Sequence, residues 1–164
     1  MNNQIKSYDA ILQCLWADEK LKNQFIANPK PVFAEMGVHV SDTIELKVHE
    51  DSLDLKNLVL PLKSKFQGSN LAESVPVFQA VIQRAWQDEN FKSQLLQNPK
   101  DTIKKVIGTD LSDNLKICVY EDTLTIKHLV VPVNTNNEEL NDLDLMMVAG
   151  GIGHTIGLVI NDIL

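Results

Sequence analysis

The chain has 164 residues, enough for one domain or two small ones, with 44% hydrophobic and 23% charged residues, the balance of a folded chain rather than a disordered one. Fifteen basic against twenty-two acidic residues give a net charge of −7, which argues against binding a phosphate backbone, so nucleic acid is not an expected partner. No run of eighteen apolar residues occurs and Met1–Asp9 has no signal-type apolar core, so the expectation is a chain made and folded in the cytoplasm, without membrane insertion.

Laid on itself at an offset of 70, the sequence aligns Trp16 with Trp86, Asp18-Glu19 with Asp88-Glu89, and Asn28-Pro29-Lys30 with Asn98-Pro99-Lys100. One residue inserted near Gly108 shifts the offset to 71, which pairs Glu50-Asp51 with Glu121-Asp122, Lys56 with Lys127, and Leu58-Val-Leu-Pro61 with Leu129-Val-Val-Pro132. The matches are too dense for chance and describe two copies, roughly residues 8–62 and 77–133.

In each copy an apolar helical stripe (Ile11, Leu15, Leu21, Phe25; Val81, Ala85, Phe91, Leu95) is interrupted where an Asp stands. Asp18 and Asp88 are therefore expected to cap a second helix after a sharp turn. Asn28-Pro29 and Asn98-Pro99 open a short third helix that closes at Gly37 or Gly108. The period then falls to two over residues 44–48 and 115–119, a half-buried strand with Glu45, Lys47 and Lys116 outward. Asp51-Ser52 and Asp122-Thr123 suit a turn, after which Leu58–Leu60 and Leu129–Val131 read as a returning strand. A unit of about 55 residues buries a marginal core, so the two copies are expected to share an interface. The expected fold is α+β: two tandem repeats, each of two or three short helices packed on a β-hairpin, followed by a flexible C-terminal tail. Lys63–Ser74 forms a polar linker.

Few residues point to chemistry. His39, His49, His128 and His154 are scattered, and ordinary surface roles are expected of them. Glu50-Asp51 and Glu121-Asp122 have the form of an acid/base dyad, yet in turns carboxylates cap or face water, and that reading is preferred. Cys14 and Cys118 show no metal or redox spacing and read as small buried hydrophobes. Trp16 and Trp86 read as core anchors at the helix–helix corner, the alternative being that one of them is an exposed hot spot for a partner. No phosphate loop, nucleophile elbow or zinc spacing is present.

The last quarter carries the functional signal. Counting back from Gly150-Gly151, apolar residues stand at Val148, Leu145 and Leu140, with Asp144 among them, and thirteen residues from Ile152 follow. This looks like the double-glycine leader of secreted bacterial peptides, in which a cysteine protease fused to an ABC exporter cuts after the second Gly. A cleft that accepts any cargo reads only the leader side: an apolar stripe and two residues without side chains. The alternative is a C-terminal helix closed by Gly, with Leu158-Val159-Ile160 adding a strand to the body.

Ala85-Trp86-Gln-Asp88-Glu-Asn-Phe91-Lys92-Ser-Gln-Leu95, then Asn98-Pro99, Val119-Tyr-Glu-Asp122 and His128-Leu-Val-Val-Pro132, resembles the nitrile hydratase α-subunit-like leader family, whose members precede ribosomally made, modified peptides called proteusins. The resemblance covers residues 77–151 well and 8–62 more weakly. It implies leader units at 1–62 and 77–133 joined by a linker at 63–76, a cleavage segment at 134–151 and a core peptide at 152–164. It also implies a cytoplasmic precursor with no cofactor and no activity of its own, serving a radical SAM epimerase or other maturase before the processed peptide is exported. Core modification candidates are Thr155, Leu158, Val159, Ile160, Asn161 and Asp162. The chain departs from such leaders in its duplication. It departs from the hydratases where their Cys-x-x-Cys-Ser-Cys metal loop would fall, since Leu62–Phe66 and Val133–Asn137 hold no thiol. Two other readings are a binding or chaperone-like module with an ordered tail, and an enzyme remnant or regulatory subunit.

Overall fold

A computed structural model describes residues 8–62 and 76–134. The order of elements is α1 (Tyr8–Ala17), α2 (Glu19–Ala27), α3 (Pro29–Glu35), β1 (Glu45–Glu50), β2 (Leu55–Leu60), α4 (Pro76–Gln87), α5 (Glu89–Gln97), α6 (Pro99–Ile107), β3 (Lys116–Glu121) and β4 (Ile126–Val131).

Local signals act as their chemistry requires. The Asp18 carboxylate accepts the N–H of Leu21, and that of Asp88 accepts those of Asn90 and Phe91, so each interrupts the stripe by capping the next helix. Pro29 and Pro99 occupy the first turns of α3 and α6, where a missing N–H costs nothing. Gly108 caps α6 at φ 68°, and Gly37 follows α3 at φ 81°, conformations that a side chain would strain.

The mixed helix-and-strand class stands, but the hairpins do not form. β1 pairs with β4, Glu45 opposite Ile126 through Glu50 opposite Val131, and β2 pairs with β3, Leu55 opposite Lys116 through Leu60 opposite Glu121. Both pairings are parallel, and both join one copy to the other. The reason lies in the connecting turns. Ser52 and Leu55 close a tight bridge, while the Asp51 N–H is held by the Val131 carbonyl at 2.9 Å and the Asp51 carboxylate captures the Asn57 N–H at 2.7 Å. The second copy matches: the Asp122 N–H donates to the Leu60 carbonyl at 3.0 Å, and the Asp122 carboxylate takes the His128 N–H at 2.7 Å. Backbone groups that a hairpin would need are already committed.

The exchange divides the interior into two cores. One gathers Tyr8, Ile11, Leu12, Leu15, Phe25, Val32 and Phe33 of the first copy around Leu129 and Val131 of the second. The other gathers Val81, Ile82, Ala85, Phe91, Leu95 and Ile103 of the second copy around Leu60 of the first. Each copy thus lends its second strand to the other's core, a closer union than the shared interface expected.

Candidate functional site

The part of the body that bears on the tail is its root, the end of β4. The Tyr8 hydroxyl donates to the Val130 carbonyl at 2.8 Å, and the Trp16 indole N–H donates to the Pro132 carbonyl at 3.1 Å. Burial, with Asp51 nearby, pushes the Tyr8 phenol up, which keeps it a neutral donor. Val133 is buried as well. The corresponding bond in the second copy runs from the Trp86 indole N–H to the Pro61 carbonyl at 3.1 Å, at the root of the linker. Both indoles are half-buried anchors at the helix corners, as their spacing suggested, and both also pin a chain exit.

The paired carboxylates form no dyad. Asp51 is buried against the Lys56 ammonium at 2.8 Å, and Asp122 against Lys127 at the same distance. Burial pushes the Asp51 carboxyl up, against the pull of Lys56 and Asn57. The neighbouring glutamates turn away, Glu50 to Lys22 at 3.4 Å and Glu121 to Lys92 at 2.8 Å. The capping half of the turn reading holds; the solvated half is corrected, because the exchanged strands cover Asp51 and Asp122.

Two histidines that look scattered in sequence meet at the junction. His49 Nε2 and His128 Nδ1 lie 2.9 Å apart, and the His49 ring stacks on Tyr120 with centroids 3.7 Å apart. Burial, then His128 and Lys47, lower His49 to about 4, and His128 is lowered as well, chiefly by burial. The one sequence clue was that His49 aligns with Tyr120, which places both on equivalent strands. The cysteines are corrected: Cys14 is exposed on α1, and Cys118 is half-exposed in β3.

Every residue assigned to cleavage or modification lies outside the described residues: Leu140, Asp144, Leu145, Val148, Gly150, Gly151, Ile152, Thr155, Leu158, Val159, Ile160, Asn161 and Asp162. So do His154, the linker from Lys63 to Ser74, and the expected mobility beyond Asn134. In the body, the apolar cavity among Leu58, Leu60, Val81, Leu95 and Val119 has a volume of about 20 Å³, room for a single water and nothing to orient a substrate. Among the described residues no helix is long and apolar enough to cross a membrane.

No protein-family model matches the chain. It is 34% identical over 89 residues, 49% of its length, to polytheonamide B from Bacterium symbiont subsp. Theonella swinhoei (strain pTSMAC1), and spans 60% of that relative. Among solved structures it resembles a double mutant of the Fe-type nitrile hydratase from Comamonas testosteroni Ni1, with TM-score 0.55 and 16% identity over 92% of this chain and 68% of that one. A second double mutant of that enzyme gives TM-score 0.52 at 16% identity over 77% and 58%, and a thiocyanate hydrolase mutant gives 0.50 at 18% over 77% and 59%. These likenesses concern the fold. The iron of such hydratases does not fit here: Pro61-Leu62 and Pro132-Val133-Asn134, which follow β2 and β4, offer no thiolate, and no group of three or more His, Cys, Asp or Glu converges among the described residues. The chain is thus similar to polytheonamide B over about half of its own length and has a nitrile hydratase-like fold.

Proposed function

We propose that this chain is the precursor of a ribosomally made, post-translationally modified peptide, with residues 1–151 as the leader and the core beginning at Ile152. The similarity to polytheonamide B carries the reading, and the proteusin-leader motifs around Trp86 and His128 point the same way. The leader performs no chemistry. Docking it on a radical SAM epimerase or another maturase turns encounters with the core into intramolecular ones, at roughly millimolar effective concentration. Residues 152–164 hold no Cys, Lys or Arg, so thioether rings and basic side-chain chemistry have no site among them. Epimerisation at Cα, which is indifferent to side-chain reactivity, suits its Leu158–Ile160 run; dehydration at Thr155 and methylation or cyclisation at Asn161 and Asp162 are the other routes.

After modification, a double-glycine cysteine protease of an exporter cuts between Gly151 and Ile152 and releases the peptide that begins at Ile152. Mass spectrometry of the chain incubated with such a protease tests this. Gly151→Val should block cleavage by placing a branched side chain in a channel shaped for none. Leu145→Ala or Val148→Ala should weaken recognition by about 1.5–3 kcal/mol, on the order of ten- to a hundredfold. Cleavage elsewhere, or equal cleavage of all variants, favours the reading of residues 139–151 as a Gly-capped terminal helix.

A further inference from the structure

The contacts between the two copies come in matched sets. The offset of 71 carries Glu45 opposite Ile126 onto Lys116 opposite Leu55, and Glu50 opposite Val131 onto Glu121 opposite Leu60. Bonds at the strand ends repeat in the same way: the Glu45 N–H donates to the Thr125 carbonyl and the Lys116 N–H to the Asp54 carbonyl, each at 2.7 Å. Trp16 to Pro132 and Trp86 to Pro61 make a third set. A contact that occurs once in each direction is the mark of a two-fold, self-complementary interface, formed here between the halves of one chain. His49 and Tyr120, which align, stack on each other and therefore lie at the two-fold axis.

We infer that each copy is a docking surface for the opposite copy of a second chain, so that two molecules can trade halves and close into a dimer through these same contacts. The contacts hold the body together; joining the halves in one chain only raises their concentration around each other, to roughly millimolar. The pairing is restricted to unlike copies. Two first copies would bring Leu60 in place of Val131 into the core that already holds Phe25 and Phe33, both fully buried, and an extra methylene there forces strain. Two second copies would bring Val131 in place of Leu60 beside Val81 and Leu95, enlarging a cavity that already measures about 20 Å³. Like copies also lose the His49–His128 bond, because neither copy carries both residues: the first has Asn57 where the second has His128. None of this depends on the precursor reading.

Two full-length variants test the inference. Leu60→Asp places a carboxylate in the second core and Val131→Asp places one in the first, so neither chain closes properly on itself. In a mixture, the first copy of the Val131→Asp chain and the second copy of the Leu60→Asp chain are both unaltered and together form one native body per pair of chains. After refolding at tens of micromolar, native mass spectrometry should find the mixed dimer, and a cooperative melt by circular dichroism should return. The yield should be at least about tenfold above that of either variant alone. Separately, the unaltered chain cut at a protease site placed between Gln67 and Asn70 should keep its halves together and melt in one step. A mixture that stays unfolded, or halves that separate once the chain is cut, would overturn the inference. A native dimer formed as readily by either variant alone would overturn the pairing of unlike copies.

Discussion

The two cores occupy equivalent places and are filled differently. Phe25 and Phe33 meet edge to face in the first, with centroids 5.3 Å apart, where the aligned residues of the second are Leu95 and Ile103. The second core places its aromatic ring at Phe91, under the Arg84 guanidinium at 4.5 Å, where the first has Leu21. The polar frame does not vary in this way: Asp caps, Trp–Pro bonds, Lys–Glu pairs and buried Asp–Lys pairs recur at matching positions. The contrast teaches which interactions define the arrangement. Apolar volume can be redistributed among neighbouring positions, whereas a buried polar group must keep its partner.

The sharpest way to break this comparison is to separate the halves. Deleting residues 1–62 removes β1 and β2, the partners of β4 and β3, and empties Leu60 from the second core. The remainder should lose its cooperative unfolding transition by circular dichroism. A fragment that melts cooperatively as a monomer would show that strand exchange is dispensable.

A smaller effect should distinguish the two buried pairs. The Lys56 side chain is 3% exposed and that of Lys127 is 14% exposed, so only the latter has a route to water when its carboxylate is removed. Asp51→Ala should cost about 3–5 kcal/mol in denaturant unfolding, and Asp122→Ala about 2 kcal/mol. Asp51→Leu combined with Lys56→Met should recover only the part of the loss that comes from the stranded Lys56 charge, since the Asn57 N–H groups still lose their acceptor. Equal costs at the two sites would mean that exposure does not separate the copies.

The smallest effect concerns His49, which faces Tyr120, its aligned residue. Its folded value of about 4 lies below the ordinary 6.5, so the unfolded chain binds more protons between those values. Stability should be full above about pH 6.5 and decline as pH falls toward 4. Because His49 is half-exposed, the decline attributable to it is about 1 kcal/mol, or about 3 °C in Tm. His49→Tyr, which makes the stacked pair identical, should flatten the slope. An unchanged slope would assign the acid sensitivity to other groups.

Local interactions were legible from the sequence. The stripe spacing located the helices around Ile11 and Val81, the interruption at Asp18 and Asp88 located their caps, and alternation from Ile44 and Leu115 located the first strands, because each signal acts within a few residues. Alternation says that a strand is half-buried and nothing about its partner, so a four-residue connection at Asp51–Asp54 read as a hairpin. Only the tertiary structure decided that β1 joins β4 and β2 joins β3, and the rest follows from that pairing. It buries Asp51 with Lys56, brings His49 to His128 across 79 residues, and roots the tail on Trp16 rather than on the copy that precedes it. These are long-range contacts, and their choice rests on which backbone donors and apolar faces remain after the local structure has formed.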